Sequence, residues 1–308
     1  MSNAGQNYVV GGGSGRGAWL INNPVGAIYW VAAVAAYEGI GPSNNNSGLS
    51  PKNPLSTIAQ AITNCVTGRG DRIILMPGTY SITAALALTK NAVEIYSWMP
   101  KAAVISSPNT TGAATVLSID ANDVLVDGVT FSCGDQVTTC VDIANTSASN
   151  RITLRENFLL GAGAVSTAKG VQIGDGTNDA ADVLLDGNFI DRFKYGIVWD
   201  GTRPLIQGNN IIIPATAGST GIHVPDTRGS IAVRSFGVIR GNGFEGSENA
   251  GAMPAMLFSA AEASSPMYLF SENQLANVAS VTADIHPEGI VMNYRGNSTA
   301  TVPALITG

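Results

Sequence analysis

Six segments of this chain repeat one pattern, in which a short apolar stretch leads into a corner rich in Gly and Asn. The segments read VLVDGVTF, ITLRENFLL, VLLDGNFI, PLIQGNNIII, GVIRGNGFEG and YLFSENQLA. One aligned column, in steps of 28, 31, 21, 33 and 31 residues, contains Val129, Asn157, Asn188, Asn209, Asn242 and Asn273. A loose period of this size is typical of a chain that winds into stacked coils.

A second strand recurs within each period, with apolar residues on both sides of one variable position. It reads ATVLSID, TCVDIAN, KGVQIGD, YGIVWDG, TGIHVPD and AMLFSAA, and the variable position holds Ser118, Asp142, Gln172, Val198, His223 and Leu257. Such alternation turns one face inward and the other outward. No coil buries its apolar face alone, so we predict a parallel β-solenoid with coils about 4.8 Å apart.

The asparagine column has a structural explanation. Asn tolerates the left-handed backbone that a sharp corner requires, and its amide can bond along a stack. We therefore expect these asparagines to adopt that conformation and to hydrogen-bond between coils. A functional site lined by asparagine is the alternative interpretation.

A distinctive segment precedes the repeats, running SGLSPKNPLSTIAQAITNC and then GRGDRIILMPGTYSI. Ser56 and Thr57 precede a predicted short helix, whose apolar side contains Ile58, Ala61, Ile62 and Cys65. RIILM is then a predicted strand, followed by a turn at Pro77 and Gly78.

This segment resembles the entry to the pectin-lyase-like right-handed β-helix superfamily. The matching residues are Gly48, Leu49, Ser50, Pro51, Asn53, Pro54, Thr57, Ile58, Ala61, Ile62, Gly70, Asp71, Ile73, Leu75, Pro77, Gly78, Thr79 and Tyr80. With the coils included, the resemblance covers roughly residues 45–280. It implies an all-β, single-stranded, right-handed parallel β-helix with a short capping helix, but no particular activity, because such folds host many functions.

The chain divides into residues 1–40 as an N-terminal arm or end-cap, 41–280 as the β-helix, and 281–308 as a C-terminal cap. The apolar run VGAIYWVAAVAAY has 13 residues, which is too short to span a bilayer. With Arg16 as the single positive side chain before it, we do not expect a signal peptide. The aromatic residues of the N-terminal arm either cover the first coil or anchor a partner, and the anchor candidates are Trp19, Tyr29 and Trp30.

Composition narrows the choice of partners. Only 12% of residues are charged, and the net charge is −6, so we expect neither nucleic-acid nor membrane binding. The three cysteines, Cys65, Cys133 and Cys140, form no zinc-type pair. We expect buried thiols, although Cys133 and Cys140 could approach each other across their loop. No cofactor or metal is predicted.

Relatives with this fold cut polysaccharides, but the hydrolase-type motifs of the family (N-T-D, D-D, H-G and R-I-K) are absent. One predicted outward column contains Asp127, Arg155, Asp186, Gln207, Arg240 and Ser271. Asp127 and Asp186, two coils apart, could frame a water molecule as catalytic carboxylates do. The favoured interpretation is a ladder of alternating charges.

Two further candidates have simpler explanations. The segment GDGTNDAAD contains Asp175, Asn178, Asp179 and Asp182, which could bind calcium, but turn chemistry explains them better. His223 is interpreted as a surface residue rather than a catalyst.

The sequence also resembles the β-helical proteins of tailed bacteriophages. That resemblance implies a homotrimeric virion protein. Within this class, the preferred interpretation is a decoration or head-fibre protein on the capsid surface. The major capsid protein or another virion protein would be its partner. In such an assembly, outward apolar residues such as Val198 and Leu257 would be covered by a neighbouring copy. The alternative is a tail spike, or a polysaccharide lyase or glycoside hydrolase acting on surface glycans.

Overall fold

The computed structural model describes residues 26–34, 41–107, 114–163, 168–175, 177–225, 236–246, 255–258, 267–276, 278, 282–283 and 290–293. Over these residues the chain winds into coils of three short strands. Equivalent strands of successive coils pair in parallel, which builds three long sheets, named A, B and C.

Each sheet collects one strand from every coil. Sheet A contains β1 (Ile28–Val31), β2 (Asp71–Leu75), β5 (Val93–Ser97), β8 (Val124–Asp127), β12 (Ile152–Arg155), β16 (Leu184–Asp186), β19 (Leu205–Gln207), β22 (Phe236–Arg240), β25 (Met267–Ser271) and β28 (Ile290–Asn293). Sheet B contains β3 (Gly78–Ser81), β6 (Ala103–Ser107), β9 (Thr130–Cys133), β13 (Phe158–Leu160), β17 (Phe189–Asp191), β20 (Asn210–Ile213), β23 (Gly243–Gly246) and β26 (Gln274–Ala276). Sheet C contains β4 (Leu86–Leu88), β7 (Thr115–Ile119), β10 (Thr139–Ile143), β14 (Lys169–Ile173), β18 (Tyr195–Trp199), β21 (Thr220–Val224), β24 (Met256–Phe258) and β27 (Thr282–Ala283). A minor pair joins β11 (Ser149–Asn150) to β15 (Ala180–Ala181).

The core is a set of apolar columns, because residues in register on successive strands lie above one another. The inward column of sheet A contains Ile95, Val126, Leu154, Leu185, Ile206 and Ile239, each at most 1% exposed. Each coil covers the apolar face of the next, which confirms the predicted stacking. Pairing continues past residue 280, because β28 adds to β25.

Each coil has one strand more than the sequence indicated. VLVDGVTF was predicted to contain a single strand, but the structure divides it into β8 and β9 at Gly128 and Val129. The corner between sheets A and B has only two residues. The two strands that it joins therefore look like one apolar segment in the sequence. The same two-residue corner recurs in each later coil up to β26.

The asparagine column fills the second position of this corner and forms a buried ladder. Its members are Asn157, Asn188, Asn209, Asn242 and Asn273. The Nδ2 of each of the first four donates to Oδ1 of the next asparagine, at 3.1, 2.9, 3.0 and 2.9 Å along the series. Each Nδ2 also donates to a backbone carbonyl of the preceding coil, as from Asn209 to Leu185 at 2.9 Å. The predicted bonding along the stack is therefore confirmed.

The prediction that these asparagines adopt the left-handed conformation is wrong. The positive φ falls one residue earlier, on Gly128 (70°), Glu156 (51°), Gly187 (65°), Gly208 (63°), Gly241 (62°) and Glu272 (57°). The chain turns from sheet A into sheet B at that residue. The amide of the following asparagine is directed along the stack. Gly occupies four of these six positions, as expected where a side chain is strained.

The entry segment closes the first coil. The helix α1 (Ile58–Asn64) begins after Thr57, whose Oγ1 accepts from the Gln60 N–H at 3.2 Å. Ile58, Ala61 and Ile62 are buried, which confirms the predicted helix and its apolar side. The apolar run within residues 1–40 forms β1, the first strand of sheet A. No helix among the described residues is long and apolar enough to cross a membrane.

Candidate functional site

The predicted charge column lies on the outward face of sheet A. Strand pairing places on successive rungs Asp127, Arg155, Asp186, Gln207, Arg240 and Ser271. Arg155 lies between the two aspartates, and its Nη2 donates to Asp127 Oδ2 at 2.7 Å. That bond raises the pKa of the Arg155 guanidinium. Arg155 thus fills the space in which two catalytic carboxylates would hold water, and the geometry fits the charge-ladder interpretation.

An apolar column runs beside this ladder on the same face. We call it the apolar stripe, and it consists of Leu125, Thr153, Leu184, Leu205 and Val238. All five side chains are partly exposed. Toward β2 the column continues into an ion pair between Arg72 Nε and Glu94 Oε2, at 2.7 Å.

Aromatic residues gather at the β1 end of sheet A. Trp30 packs on Trp98 with ring centroids 4.9 Å apart. Met99, which follows Trp98, is 54% exposed. Leu49, which follows Gly48, is 58% exposed, and the Gly48 carbonyl accepts from the Trp30 N–H at 2.6 Å. We call Trp30, Leu49, Trp98 and Met99 the tryptophan patch.

The three anchor candidates have different surroundings. Tyr29 faces the core, and its hydroxyl donates to the carbonyl of Asn64 at 2.9 Å. Trp30 faces outward within the tryptophan patch, while Trp19 lies outside the described residues. Binding of a partner by these residues stays a prediction.

The polar groups of the candidate calcium loop are bonded to other groups of the protein. Asp175 Oδ1 accepts the backbone N–H of Asn178 at 2.6 Å, and the Asn178 amide donates to Asp175 Oδ2 at 3.1 Å. Asp179 accepts from a threonine hydroxyl of the next coil, and Asp182 pairs with Arg203 through two bonds of 2.8 and 2.9 Å. Among the described residues, no three His, Cys, Asp or Glu side chains are grouped to hold a metal ion. Turn chemistry and ion pairing explain this loop.

Sheet C has an outward column with unusual burial. Its register runs through Ser118, Asp142, Gln172, Val198, His223 and Leu257. Val198 is only 4% exposed within a single chain, so the expectation that it is an exposed apolar residue is wrong, while the side chain of Leu257 lies outside the described ones. Gln172 and His223 flank Val198 on the adjacent rungs.

Two neighbouring members of this column are buried acceptors. Oδ1 of Asp142 and Oε1 of Gln172 are closed to solvent and find no hydrogen-bond partner among the described residues. Buried polar atoms are rarely left without a hydrogen-bond partner. Burial raises the pKa of Asp142 to about 6, with Lys169 opposing the rise and Asp120 adding to it. Asp142 is therefore a carboxyl group that changes charge close to neutral pH.

A cationic and aromatic cluster lies farther along this face. The rings of Tyr195 and His223 stack at 4.8 Å, and Lys194 Nζ lies 5.3 Å from the centroid of Tyr195. Burial lowers the pKa of His223, and the charges of Lys169 and Lys194 lower it further. The imidazole is thus held in its neutral form, which can both donate and accept a proton.

Sequence reasoning missed two residues of this region and the burial of a third. Lys169 and Tyr195 occupy the first position of their strands, three residues before the variable position that drew attention to His223. The sequence signal that could have identified them is the lysine and the tyrosine at that position of the aligned strands. The burial of Asp142 had no such signal, because it depends on packing between coils.

Comparison with solved structures identifies the fold. The chain is similar to pectin methylesterase PemA from Erwinia chrysanthemi, with 14% identity over 83% of this chain and 80% of the other, at a TM-score of 0.51. It is similar to a rice weevil pectin methyl esterase, with 12% identity over 81% and 83% of the two chains, at a TM-score of 0.50. A PL6 family alginate lyase matches at 15% identity and a TM-score of 0.50, over 90% of this chain but 40% of the lyase.

These likenesses define a right-handed parallel β-helix, the fold of the pectin-lyase-like proteins, as the resemblance of the entry segment implied. At such low identity they carry the fold alone. No protein-family model matches the sequence, and no curated protein does.

Proposed function

We propose that this protein is a structural β-helix that associates with itself, as a homotrimeric component of a tailed-bacteriophage virion. Its proposed place is the capsid surface, as a decoration protein. The observation that carries the proposal is the apolar stripe, a column of partly exposed side chains along sheet A of which all but Thr153 are aliphatic. Continuous apolar surface of this kind favours association.

Electrostatics support the same face as the contact between copies. The whole chain carries a net charge of −6, so most approaches of one copy to another are repulsive. Beside the apolar stripe, the charges of Asp127 and Arg155 offset each other, as do those of Arg72 and Glu94. Copies that meet through sheet A therefore bring together a nearly neutral surface.

The tryptophan patch suits attachment to a larger assembly such as a capsid. Large, exposed aromatic side chains contribute strongly to binding energy at protein interfaces. Trp30 and Trp98 already pack against each other with their ring planes tilted by 59°, so little conformational freedom is lost when a partner covers them.

Native mass tests this proposal, measured by light scattering after gel filtration at micromolar concentration. The expected mass is three times 31.6 kDa. Leu205→Glu, within the apolar stripe, is expected to dissociate the trimer through charge repulsion and desolvation cost. Ile212→Glu is the matched control, because Ile212 is also a partly exposed aliphatic residue but lies on sheet B. A monomeric wild-type protein, or equal dissociation by both variants, would contradict the trimer through sheet A.

A second candidate function is supported by the polar face of sheet C. Asp142, with its pKa of about 6, is suited to proton transfer to a leaving group, and Gln172 offers an unused acceptor on the next rung. Proteins that share the fold include pectin methylesterases and an alginate lyase. This candidate is a tail spike or a related enzyme that binds and cleaves surface glycans.

Assays of variants against a panel of polysaccharides distinguish between the two possible sites of such an activity, on sheet C and on sheet A. Asp142→Asn is expected to abolish cleavage at sheet C, while Asp127→Ala with Asp186→Ala leaves it intact. The reverse result would place the chemistry on sheet A. If the wild-type protein cleaves no polysaccharide of the panel, the enzymatic candidate fails and the structural one is unaffected.

A further inference from the structure

One member of the asparagine ladder differs from the others in the residue that follows it. Asn242 is followed by Gly243, whereas the other four are followed by larger residues, and this is the only Asn-Gly pair in the whole sequence. An asparagine side chain loses ammonia when the peptide nitrogen of the next residue attacks its amide carbon. Glycine hinders that attack least, because it has no side chain and the most backbone freedom. The ladder therefore contains one chemically labile position.

In the folded coil, hydrogen bonds hold both reacting groups away from this reaction. The Gly243 N–H, whose nitrogen would be the nucleophile, donates to the Asn209 carbonyl at 2.8 Å. The Asn242 side chain is fully buried, and its Oδ1 accepts from Asn209 Nδ2 at 3.0 Å. Its Nδ2 donates to the Ile206 carbonyl at 3.0 Å and to Asn273 Oδ1 at 2.9 Å. Stacking thus commits the amide and the nucleophile to separate partners, which protects the folded chain.

We propose that Asn242 is a modification site, at which the side-chain amide is converted to a carboxyl group when the coil around it opens. The Gly243 nitrogen forms a bond to Asn242 Cγ, the bond from Cγ to Nδ2 breaks, and ammonia leaves with the proton that the Gly243 nitrogen gives up. A cyclic imide remains. Water from the solvent then opens this ring at either carbonyl, which leaves aspartate or its isomer isoaspartate at position 242. Nothing is oxidised or reduced, and water is the only co-reactant.

Either product prevents the coil from closing as before. A carboxylate has no N–H, so the acceptors that Asn242 Nδ2 serves lose their donor. These acceptors are the carbonyls of Ile206 and Arg240 and Oδ1 of Asn273. The product also brings a negative charge into the buried ladder beside these oxygen atoms, and burial of an unpaired charge is costly. The modification therefore acts in one direction, because a coil that has opened and reacted does not rejoin the ladder.

The test is to incubate the full chain at mildly alkaline pH, folded in buffer and unfolded in guanidinium chloride, and to follow each asparagine by peptide mapping. In the unfolded chain Asn242 should react before Asn188, which is followed by Phe189. In the folded chain the reaction at Asn242 should be slower by about 100-fold or more, because only the open fraction reacts. Gly243→Ala crowds the nucleophile and retains the ladder amide, so it should suppress the reaction in the unfolded chain.

Variants of the ladder connect the reaction to opening of the coils. Asn209→Ala removes the bond from Asn209 Nδ2 to Asn242 Oδ1, and should speed the reaction of the folded chain by about tenfold or more. Asn210→Ala is the matched control, because Asn210 is exposed, and it should leave the rate unchanged. Asn242→Asp, which is one of the two products, should lower Tm by about 5 °C or more relative to wild type.

The proposal is overturned if Asn242 reacts at the same rate in the folded and the unfolded chain, or if it reacts no faster than Asn188 in the unfolded chain. It is also overturned if Asn242→Asp has the Tm of the wild-type protein, since the product would then rejoin the ladder. Failure of Asn242→Asp to fold would support the blocking effect of the product. The comparison of folded with unfolded wild-type chain tests the reaction independently of that variant.

Discussion

Replacing Asp142 by Asn should stabilise the protein at alkaline pH and have little benefit at acid pH. In the folded chain the pKa of Asp142 is about 6, against an ordinary value of 3.8, because burial disfavours the charged form. The folded state therefore holds this proton more tightly than the unfolded state does. Stability from the protonated group is complete below about pH 4 and is lost as the pH rises through 6.

The magnitude follows from the size of the shift. A rise from 3.8 to about 6 is roughly two pH units, and each unit corresponds to about 1.4 kcal/mol. The ionised carboxylate therefore costs about 3 kcal/mol at pH 8, with no large discount for solvent, since Asp142 is 9% exposed. Asn has the same shape without the charge, so the substitution removes this cost and leaves the packing unchanged.

Urea-induced unfolding at pH 4 and at pH 8 measures this difference. The free energy of unfolding of Asp142→Asn, relative to wild type, should be larger at pH 8 than at pH 4 by about 2.5 kcal/mol, since the unfolded carboxyl is already partly ionised at pH 4. Glu245→Gln is the control, because its side chain is exposed and the same charge is removed. A difference between Asp142→Asn and wild type that is equal at both pH values would refute the reasoning.

Two further substitutions test the packing of the coils. Asn209→Ala removes bonds to both neighbouring coils and should cost about 3 kcal/mol in urea unfolding, whereas Asn210→Ala, an exposed neighbour in sequence, should cost less than 1 kcal/mol. Equal costs would show that the ladder adds no stability. Gly237→Ala should lower Tm by several degrees, since its new methyl group would overlap the buried ring of Trp199. Gly243→Ala, where the nearest side-chain atom would lie 3.3 Å away, is the control, and an equal loss of Tm would contradict the proposed overlap.

Much of the fold was predictable because its rules are local and repeated. Alternating apolar residues such as Leu117 and Ile119 indicate an inward face wherever the strand lies in the stack. The recurring Asn column likewise indicated bonds between coils. The third strand escaped prediction because a two-residue corner leaves no run of polar residues to mark it.

The polar face of sheet C was less predictable, because burial there depends on neighbouring rungs. Asp142 and His223 both occupy outward positions by strand alternation, which predicts exposure for each. In the structure Asp142 is 9% exposed, and His223 is covered in part by the ring of Tyr195. Contacts between coils tens of residues apart decide these environments, and a single sequence does not specify their side-chain packing.

A shorter ladder at the corner before sheet A was also missed. Asn122 Oδ1 accepts from the backbone N–H and the amide of Asn150, at 2.9 and 3.1 Å, and Asn91 Oδ1 accepts from the backbone N–H of Asn122 at 2.9 Å. These asparagines lie in coils of different length and do not align with the longer series. Their common role emerges only when the coils are stacked.

The constant corner between sheets A and B has a consequence for how such a chain can vary. The steps along the asparagine column range from 21 to 33 residues, yet from β8 onward the corner itself always has two. The variation in step length therefore lies in the other two corners and in the lengths of the strands, not in this corner. The spacing of the rungs is thus independent of the lengths of those corners. Foreign loops grafted at the B–C or C–A corners should be displayed at spacings of about 4.8 Å, while insertion at the A–B corner would break the ladder.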